Sequence, residues 1–245
     1  MDGLDFYIAN VSDIAKGSMN EMYHLYSQYY DCTNQVTFRK DLKDKNKALI
    51  ITHHDQIVGF STILQYQTQF KGKHLQIIYS GDTIMKQQYW GNPILAFAWL
   101  KFAGTAKAEY PTLPLYWFII VKGHRTYRYL PVFSKQYFPN HHCTTPRFEQ
   151  DLIDQLAHEK FGSYYNKDKG IIHYNISQGQ LKTSYAAIPE NLMRRKEIAF
   201  FYERNPGYTE GDELVCLCEL DTQNLKPLAK RIFLEGYQSI SCPIN

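Results

Sequence analysis

The stretch HLQIIYSGDTIMKQQYWGNPILAFAWLKFAGTAKAE, residues His74–Glu109, decides most about the fold. Its first part, His74–Met85, is rich in β-branched and aromatic residues, which is typical of a strand. Gly81 lies inside that strand, where a glycine often marks a bulge or a close approach to the backbone. Asn92 and Pro93 are a favourable N-cap and first residue for the apolar helix that follows. The stretch therefore predicts a strand, a loop and a helix in succession.

The loop Lys86–Pro93 has the features of an anion site. It runs into the N-terminus of the helix Ile94–Glu109, where free backbone N–H groups and the helix dipole can bind a phosphate or pyrophosphate. Gly91 would let a ligand approach the backbone closely, and Gln88 could donate a further hydrogen bond. An ordinary capped helix after a turn explains the same residues, so the loop alone leaves both interpretations open.

Strands and helices alternate on both sides of this stretch. The helix Ile94–Glu109 is apolar around most of its circumference, so we expect it to be buried against a sheet. The other predicted elements before Pro139 are the strands Phe6–Asn10, Ala48–Thr52, Ile57–Tyr66 and Leu115–Lys122, a helix capped by Ser12 or Asp13, a short helix capped by Thr37, and a helix His124–Tyr137 kinked at Pro131. The loop His53–Gln56 would join two of these strands in a hairpin. Hairpin and crossover connections together predict an α/β fold, a mixed sheet with helices on both faces.

Further elements follow after Pro139. The predicted ones are a helix from Thr145-Pro146 to Phe161 closed by Gly162, a strand Gly170–Ile176, a helix Pro189–Arg204, a strand Glu213–Leu220, and a helix from Asp221 or Thr222 to Gly236. We expect these elements to extend the core.

Composition argues against several classes of protein. The chain has 245 residues, of which 44% are hydrophobic and 21% charged, so an ordinary core can form. A net charge of +3 is too small to indicate a nucleic-acid partner by itself. The longest apolar runs, Ile94–Leu100 and Leu115–Val121, are far shorter than the roughly 20 residues of a membrane span. Met1–Asn10 has no basic cluster of the kind that begins a secretory signal, so we expect a cytoplasmic protein.

The cysteines do not suggest disulfides or a metal site. They are odd in number and widely scattered, at Cys32, Cys143, Cys216, Cys218 and Cys242. That pattern favours buried thiols in a reducing compartment over a disulfide framework. His141-His142-Cys143 and Cys216-x-Cys218 lack the spacing of four metal ligands, so no metal is expected.

Two motifs in this order resemble the GNAT superfamily, the acyl-CoA-dependent N-acyltransferases. Asp55-Gln56-Ile57-Val58-Gly59-Phe60 forms the second arm of the hairpin, and Gln88-Tyr89-Trp90-Gly91-Asn92-Pro93 follows the next strand. The pyrophosphate loop of the family reads Arg/Gln-x-x-Gly-x-Gly/Ala, and Gln88, Gly91 and Pro93 stand in its three defined places. Proline in the third place is a departure that fits a first helical position but removes one backbone donor. The resemblance spans Leu4 to Pro139.

The resemblance implies a mixed, mostly antiparallel GNAT-like sheet and two parts of the chain. Residues 1–140 would form the acyl-donor-binding core, and residues 141–245 an α+β C-terminal extension that completes the sheet and covers the acceptor site. The strands His74–Met85 and Leu115–Lys122 would splay apart and hold the pantetheine arm of coenzyme A in the gap. The residues implied to bind the donor along the strand and loop are Thr83, Ile84, Met85, Gln88, Tyr89, Trp90, Gly91 and Asn92.

A basic stretch after the second of these strands adds two more candidates. Arg125 and Arg128 lie between Lys122 and Lys135, interleaved with aromatic residues. They could contact the 3′-phosphate of coenzyme A or dock an acidic acyl carrier protein. A solvated charged surface is the alternative interpretation.

Asp82 is the candidate general base. It follows Gly81 at the end of the strand and within reach of the gap, where a base must take the proton of an attacking amine. A solvated or capping carboxylate is the alternative. His24, His53 and His54 could also serve as bases, but lone histidines in helices and hairpin loops are usually solvated.

Tyr127 is the candidate acid for the leaving thiolate, because the resemblance places a tyrosine in the helix after Leu115–Lys122. Tyr129 competes with it, and in a chain with 20 tyrosines either could belong to the core.

The resulting hypothesis is an N-acyltransferase that moves an acyl group from acyl-CoA to an amine of a small molecule or peptide. One alternative uses acyl carrier protein as the donor and a longer fatty chain. A second is a catalytically silent GNAT-like binding module, and a third, a nucleic-acid binder, is opposed by the small and dispersed charge.

Overall fold

An eight-stranded mixed sheet is the centre of the fold. The computed structural model of the chain describes residues 3–241, so Cys242 lies outside the described part. The strands are β1 (Leu4–Asn10), β2 (Tyr30–Asp31), β3 (Lys47–His53), β4 (Gln56–Phe70), β5 (Lys73–Met85), β6 (Leu115–Val121), β7 (Tyr165–Asn166), β8 (Ile171–Ile172), β9 (Gln180–Leu181) and β10 (Glu213–Glu219). Their order in the sheet is β1-β3-β4-β5-β6-β10-β8-β7, and β2 pairs separately with β9. Because β5 and β6 run parallel while the neighbouring pairs are antiparallel, the predicted mixed, mostly antiparallel sheet is confirmed.

Helices cover both faces of the sheet. They are α1 (Lys16–Ser27), α2 (Gln35–Lys43), α3 (Ile94–Glu109), α4 (His124–Tyr127), α5 (Tyr129–Phe133), α6 (Arg147–Phe161), α7 (Thr183–Ala186), α8 (Glu190–Met193), α9 (Lys196–Arg204) and α10 (Pro227–Ser241). The apolar residues of α3, α5 and α10 pack on one face, and those of α1, α2 and α6 pack on the other. None of the helices in the described residues is long and apolar enough to cross a bilayer.

The two parallel central strands pair over only part of their length. Gln76–Ser80 of β5 pairs with Leu115–Ile119 of β6. Beyond these residues β5 continues beside β4 alone, and the last residues of β6 pair with β10. A gap therefore opens between Gly81–Met85 and the end of β6, so the predicted splay of the two strands is confirmed.

A bulge in β5 lies at the start of this gap. The pairing of β4 and β5 shifts register between Ser61 and Ile63, opposite Gly81. A Cβ on Gly81 would meet Thr62 Oγ1 at 2.6 Å and Lys45 Cε at 2.8 Å. The glycine thus marks both a bulge and a close approach, as its position in the strand predicts.

Several local predictions need correction. The hairpin loop has two residues, His54 and Asp55, both with positive φ, because β3 and β4 extend further than their apolar runs. The side chain of Asn34, rather than Thr37, caps α2 by accepting from the backbone N–H of Thr37. The first helix begins at Lys16, after a 3₁₀ turn, so neither Ser12 nor Asp13 caps it.

The C-terminal elements also differ in their bounds. The strand predicted over Gly170–Ile176 has two residues in the ladder, and the helix predicted over Pro189–Arg204 divides into α8 and α9. The last helix begins at Pro227 and continues past Gly236. The exposed thiols of Cys32 and Cys143 contradict the expectation of buried cysteines, which holds for Cys216 and Cys218.

Candidate functional site

Three cavities meet at the gap between β5 and β6. The loop cavity, about 460 Å³, lies on the α3 face beside the loop that precedes α3. The acidic cavity, about 480 Å³, lies on the α1–α2 face and is lined by Asp41, Asp82 and Glu213. The tryptophan alcove, about 20 Å³, lies at the closed end of the gap. Thr83 and Thr126 line all three cavities.

The loop into α3 keeps several backbone donors free. Its 3₁₀ turn uses the N–H groups of Tyr89, Trp90 and Asn92 for hydrogen bonds to carbonyls of the loop itself. The side chain of Asn92 accepts from the N–H of Ile94 at 2.9 Å, but the N-cap position of α3 is Pro93, one residue later than the sequence predicts. The backbone N–H groups of Tyr89, Trp90, Asn92 and Ile94 are therefore not available to a ligand.

The N–H groups of Gly91, Leu95 and Ala96 have no acceptor among residues 3–241, and all three residues line the loop cavity. Gly91 has φ +90°, and no atom lies within 4 Å of the Cβ it lacks. The predicted Gln88 is exposed and does not line the cavity. An anion would find three backbone donors at the positive end of α3.

The strand side of the loop cavity is the free edge of β5. Thr83, Ile84 and Met85 line the cavity and pair on their other side with β4. Trp90 donates its indole N–H to the carbonyl of Met85 at 2.8 Å, which joins the loop to the strand. The side-chain hydroxyls of Thr83 and Ser61 lie 2.9 Å apart.

Both predicted arginines line the loop cavity, but they differ in their partners. The guanidinium of Arg125 lies 4.7 Å from the ring centroid of Trp90 and donates to the carbonyl of Tyr185 at 2.6 Å. Within the described residues Arg128 has neither an ion pair nor a hydrogen bond through its side chain. Arg128 is thus the freer of the two to meet a phosphate.

Asp82 faces the opposite side of the sheet, in the acidic cavity. Its carboxylate accepts no hydrogen bond from residues 3–241. Burial, and next the Asp41 carboxylate, raise the pKa of Asp82 to about 7, although Lys122 and Lys45 act in the other direction. A carboxylate with a pKa near neutrality and no partner is suited to accept a proton.

Two ion pairs hold charges around Asp82. Lys122 Nζ lies 3.2 Å from Glu213 Oε1, and both side chains are largely buried. Lys45 Nζ lies 2.8 Å from Asp41 Oδ2 and occupies the space left by Gly81. Because each lysine already has a carboxylate partner, Asp82 retains its raised pKa.

The structure places Tyr127 away from all three cavities. It is fully buried in the core, and its hydroxyl donates to the carbonyl of Pro139 at 2.9 Å. Because Tyr127 lines none of the three cavities, the geometry does not favour it as the acid, and its assignment stays a prediction. The competing residue, Tyr129, lines the loop cavity and the alcove.

The alternative bases do not lie in these cavities. His24 is exposed on α1, and the rings of His53 and His54 contact each other at the hairpin turn in a tilted arrangement, with centroids 4.2 Å apart. His124 does line the loop cavity, where burial lowers its pKa to about 4 and keeps it neutral. Within residues 3–241 no group of three His, Cys, Asp or Glu side chains could hold a metal ion.

Comparisons with known proteins give structural matches at low identity and low TM-score. No protein-family model and no curated protein match the chain. Among solved structures, a probable N-acyltransferase from Enterococcus faecalis V583 is 16% identical, with a TM-score of 0.39, over 54% of this chain and 33% of its own. This chain therefore matches a third of that protein's length.

Two shorter proteins are similar to the same degree. An aminoglycoside acetyltransferase from an uncultured soil metagenomic sample is 14% identical, with a TM-score of 0.35, over 48% of this chain and 76% of its own. A ribosomal-protein-alanine N-acetyltransferase from Brucella melitensis is 17% identical, with a TM-score of 0.36, over 48% and 79%. The GNAT-like fold rests on the strand order and the parallel, splayed β5–β6 pair, and the chemistry has to be argued from the site.

Proposed function

We propose that the chain is an N-acyltransferase that moves an acyl group from acyl-CoA to an amine. The observation that carries the proposal is the gap between β5 and β6, where a cavity on each face of the sheet reaches the same three residues, Tyr30, Thr83 and Thr126. A thioester held in one cavity and an amine held in the other would meet there. Bringing the two reactants together in this way supplies much of the rate enhancement of a group transfer.

The loop cavity suits the donor. The phosphates would accept from the N–H groups of Gly91, Leu95 and Ala96, and the pantetheine arm would lie along the free edge of Thr83–Met85. Arg128 would supply a positive charge for a further phosphate. An acyl carrier protein presents the same phosphopantetheine arm, and it is the alternative donor.

The acidic cavity suits the amine. The nitrogen attacks the thioester carbonyl carbon, the new C–N bond forms, and the C–S bond breaks to release the thiolate. Asp82 would take the proton that the attacking nitrogen loses, and the hydroxyl of Tyr129, which lines the loop cavity and the alcove, would protonate the thiolate. Tyr164, Tyr174 and Glu213 line this cavity from beyond residue 140, so the C-terminal extension would cover the acceptor site.

Binding of coenzyme A to a Gly91→Glu variant tests the proposal. The added carboxylate would lie beside the phosphates, and we expect affinity to fall by more than about tenfold through charge repulsion. Gly91→Ala carries the same backbone strain, about 1–3 kcal/mol, without the charge, and should still bind. Gly72→Glu places a carboxylate on another open glycine with positive φ, and it should bind as the wild type does.

Isothermal titration calorimetry with coenzyme A measures each affinity, and thermal denaturation shows that each variant is folded. A folded Gly91→Glu protein that binds coenzyme A with wild-type affinity would refute the phosphate site. Stabilisation by acyl carrier protein but not by coenzyme A would favour the alternative donor.

A further inference from the structure

The tryptophan alcove has a fixed floor. Trp99 of α3 and Trp117 of β6 both donate their indole N–H to the hydroxyl oxygen of Ser80, at 3.1 and 2.9 Å. Their ring centroids lie 4.2 Å apart, and Phe133 stacks on both. Since a hydroxyl oxygen has two acceptor sites, both are in use, and neither indole can rotate without losing a buried hydrogen bond.

The alcove opens at the junction of the other two cavities. Besides Thr83 and Thr126, it shares the walls Leu95, Ala96 and Tyr129 with the loop cavity. It is lined almost entirely by apolar surface, whereas the acidic cavity carries carboxylates and lysines. An alkyl group at the junction would be removed from water most favourably by entering the alcove.

The tetrahedral centre of an acyl transfer carries three groups besides its oxygen: the thioester sulfur, the attacking nitrogen and the alkyl part of the acyl group. Three cavities meet at Thr83 and Thr126, and the donor and the amine would occupy two of them. We infer that the alcove is the acyl subsite and that Trp99 and Trp117, clamped on Ser80, limit its occupant to an acetyl or propionyl group. This inference rests on the proposed function.

The volume sets the limit on chain length. A space of about 20 Å³ has room for roughly one water-sized group, which is the size of a methyl. An acetyl methyl fits as the alcove stands, and a propionyl group requires a small shift of a wall. A butyryl or longer chain would have to displace an indole.

A series of ligands tests the subsite in the wild-type protein. Affinities for coenzyme A and for its acetyl, propionyl, butyryl and hexanoyl thioesters are measured by isothermal titration calorimetry. We expect acetyl-CoA to bind at least as tightly as coenzyme A, and hexanoyl-CoA at least about tenfold more weakly than acetyl-CoA, since one methylene in a closed pocket changes discrimination by about 10–200-fold.

A Trp117→Phe variant should allow a longer acyl chain to enter the alcove. It keeps an aromatic ring against Trp99 and removes the indole N–H bond to Ser80, and we expect the ratio of butyryl-CoA to acetyl-CoA affinity to rise about tenfold. Phe102→Leu removes aromatic volume from the same core without lining any of the three cavities, and should leave the ratio unchanged.

The outcomes separate the two claims. Equal affinity for every thioester, with coenzyme A bound, would overturn the acyl subsite and leave the proposed function standing. No binding of coenzyme A would overturn the proposed function and the subsite with it. If Trp117→Phe does not fold, the wild-type series decides the point alone.

Discussion

Replacing Asp82 with Asn should lower activity and raise stability at the same time. The amide cannot accept a proton from the amine, and loss of a general base lowers turnover by about 10²–10⁴-fold. In the wild type, the pKa of about 7 predicts that turnover falls about tenfold for each pH unit below 7, because the carboxyl becomes protonated. The variant should lack that dependence.

The gain in stability follows from the raised pKa of the Asp82 carboxyl. Below about pH 4 this carboxyl is protonated in both folded and unfolded chains and adds no pH dependence. Between about pH 4 and 7 the unfolded chain loses its proton first, so stability falls as the pH rises, and above 7 the loss is complete. A displacement of about three pKa units corresponds to about 4 kcal/mol, and solvent in the cavity reduces the expected loss to about 1–2 kcal/mol.

Urea denaturation of wild type and Asp82→Asn at pH 5, 7 and 8.5 measures this difference. The variant should be the more stable at pH 8.5, by about 1–2 kcal/mol, and its advantage should shrink at pH 5. Asp55→Asn is the matched control, because Asp55 is exposed at a turn with φ +63°, a conformation that asparagine adopts well. A stability difference for Asp82→Asn that does not change with pH would refute the raised pKa of an unpartnered Asp82 carboxylate.

Two further variants test the assignments around the gap. Tyr127→Phe leaves the Pro139 carbonyl without its donor, so thermal denaturation should show that the free energy of unfolding falls by about 1–2 kcal/mol. Affinity for coenzyme A should stay unchanged. A loss of affinity without a loss of stability would return Tyr127 to the site. Gly81→Ala brings a methyl group against Thr62 and Lys45, and urea denaturation should show that the free energy of unfolding falls by about 1–3 kcal/mol. An unchanged stability would mean that Lys45 is not held against the bulge.

The sequence predicted the central strand–loop–helix unit well because each of its signals is local. Apolar runs, an asparagine and a proline fix α3 at Ile94–Glu109, the bounds that the pattern predicts. The side chain of Asn92, one residue before the N-cap Pro93, accepts from the N–H of Ile94, and the backbone N–H of Asn92 is used within the loop and is not free for a phosphate. Which donors remain free depends on the 3₁₀ turn, which the residue types do not specify.

The choice between Tyr127 and Tyr129 could not be made from the sequence. Both lie in a stretch predicted as one helix, and the structure divides that stretch into α4 and α5 at Arg128. The break turns Tyr127 into the core and Tyr129 toward the gap. The charges around Asp82 were equally hidden, because Lys45 and Lys122 lie on a loop and at a strand end that only the tertiary fold brings together.

The last helix shows how a correct signal can be misinterpreted. Asp221 accepts from the N–H of Gln223 in a turn and does not start a helix, which begins at Pro227 as a first-turn proline allows. Gly236 was interpreted as the end of this helix, since glycine is common just after helix C-termini. In the structure Gly236 lies inside α10, where the close contact with the backbone of α3 leaves no room for a Cβ.

The contact between α3 and α10 therefore joins the C-terminal extension to the helix that begins at the loop cavity. A Cβ on Gly236 would collide with the backbone of Lys101, and one on Gly104 with the backbone of Phe233. Gly236→Ala must separate the two helices, and we expect a loss of about 3 kcal/mol in urea denaturation despite the better helix propensity of alanine. Gly17→Ala, in α1 with no atom near its Cβ, should instead gain about 0.5–1 kcal/mol. If both variants gain stability, the extension does not pack on α3 as described, and residues 141–245 would be a separate unit.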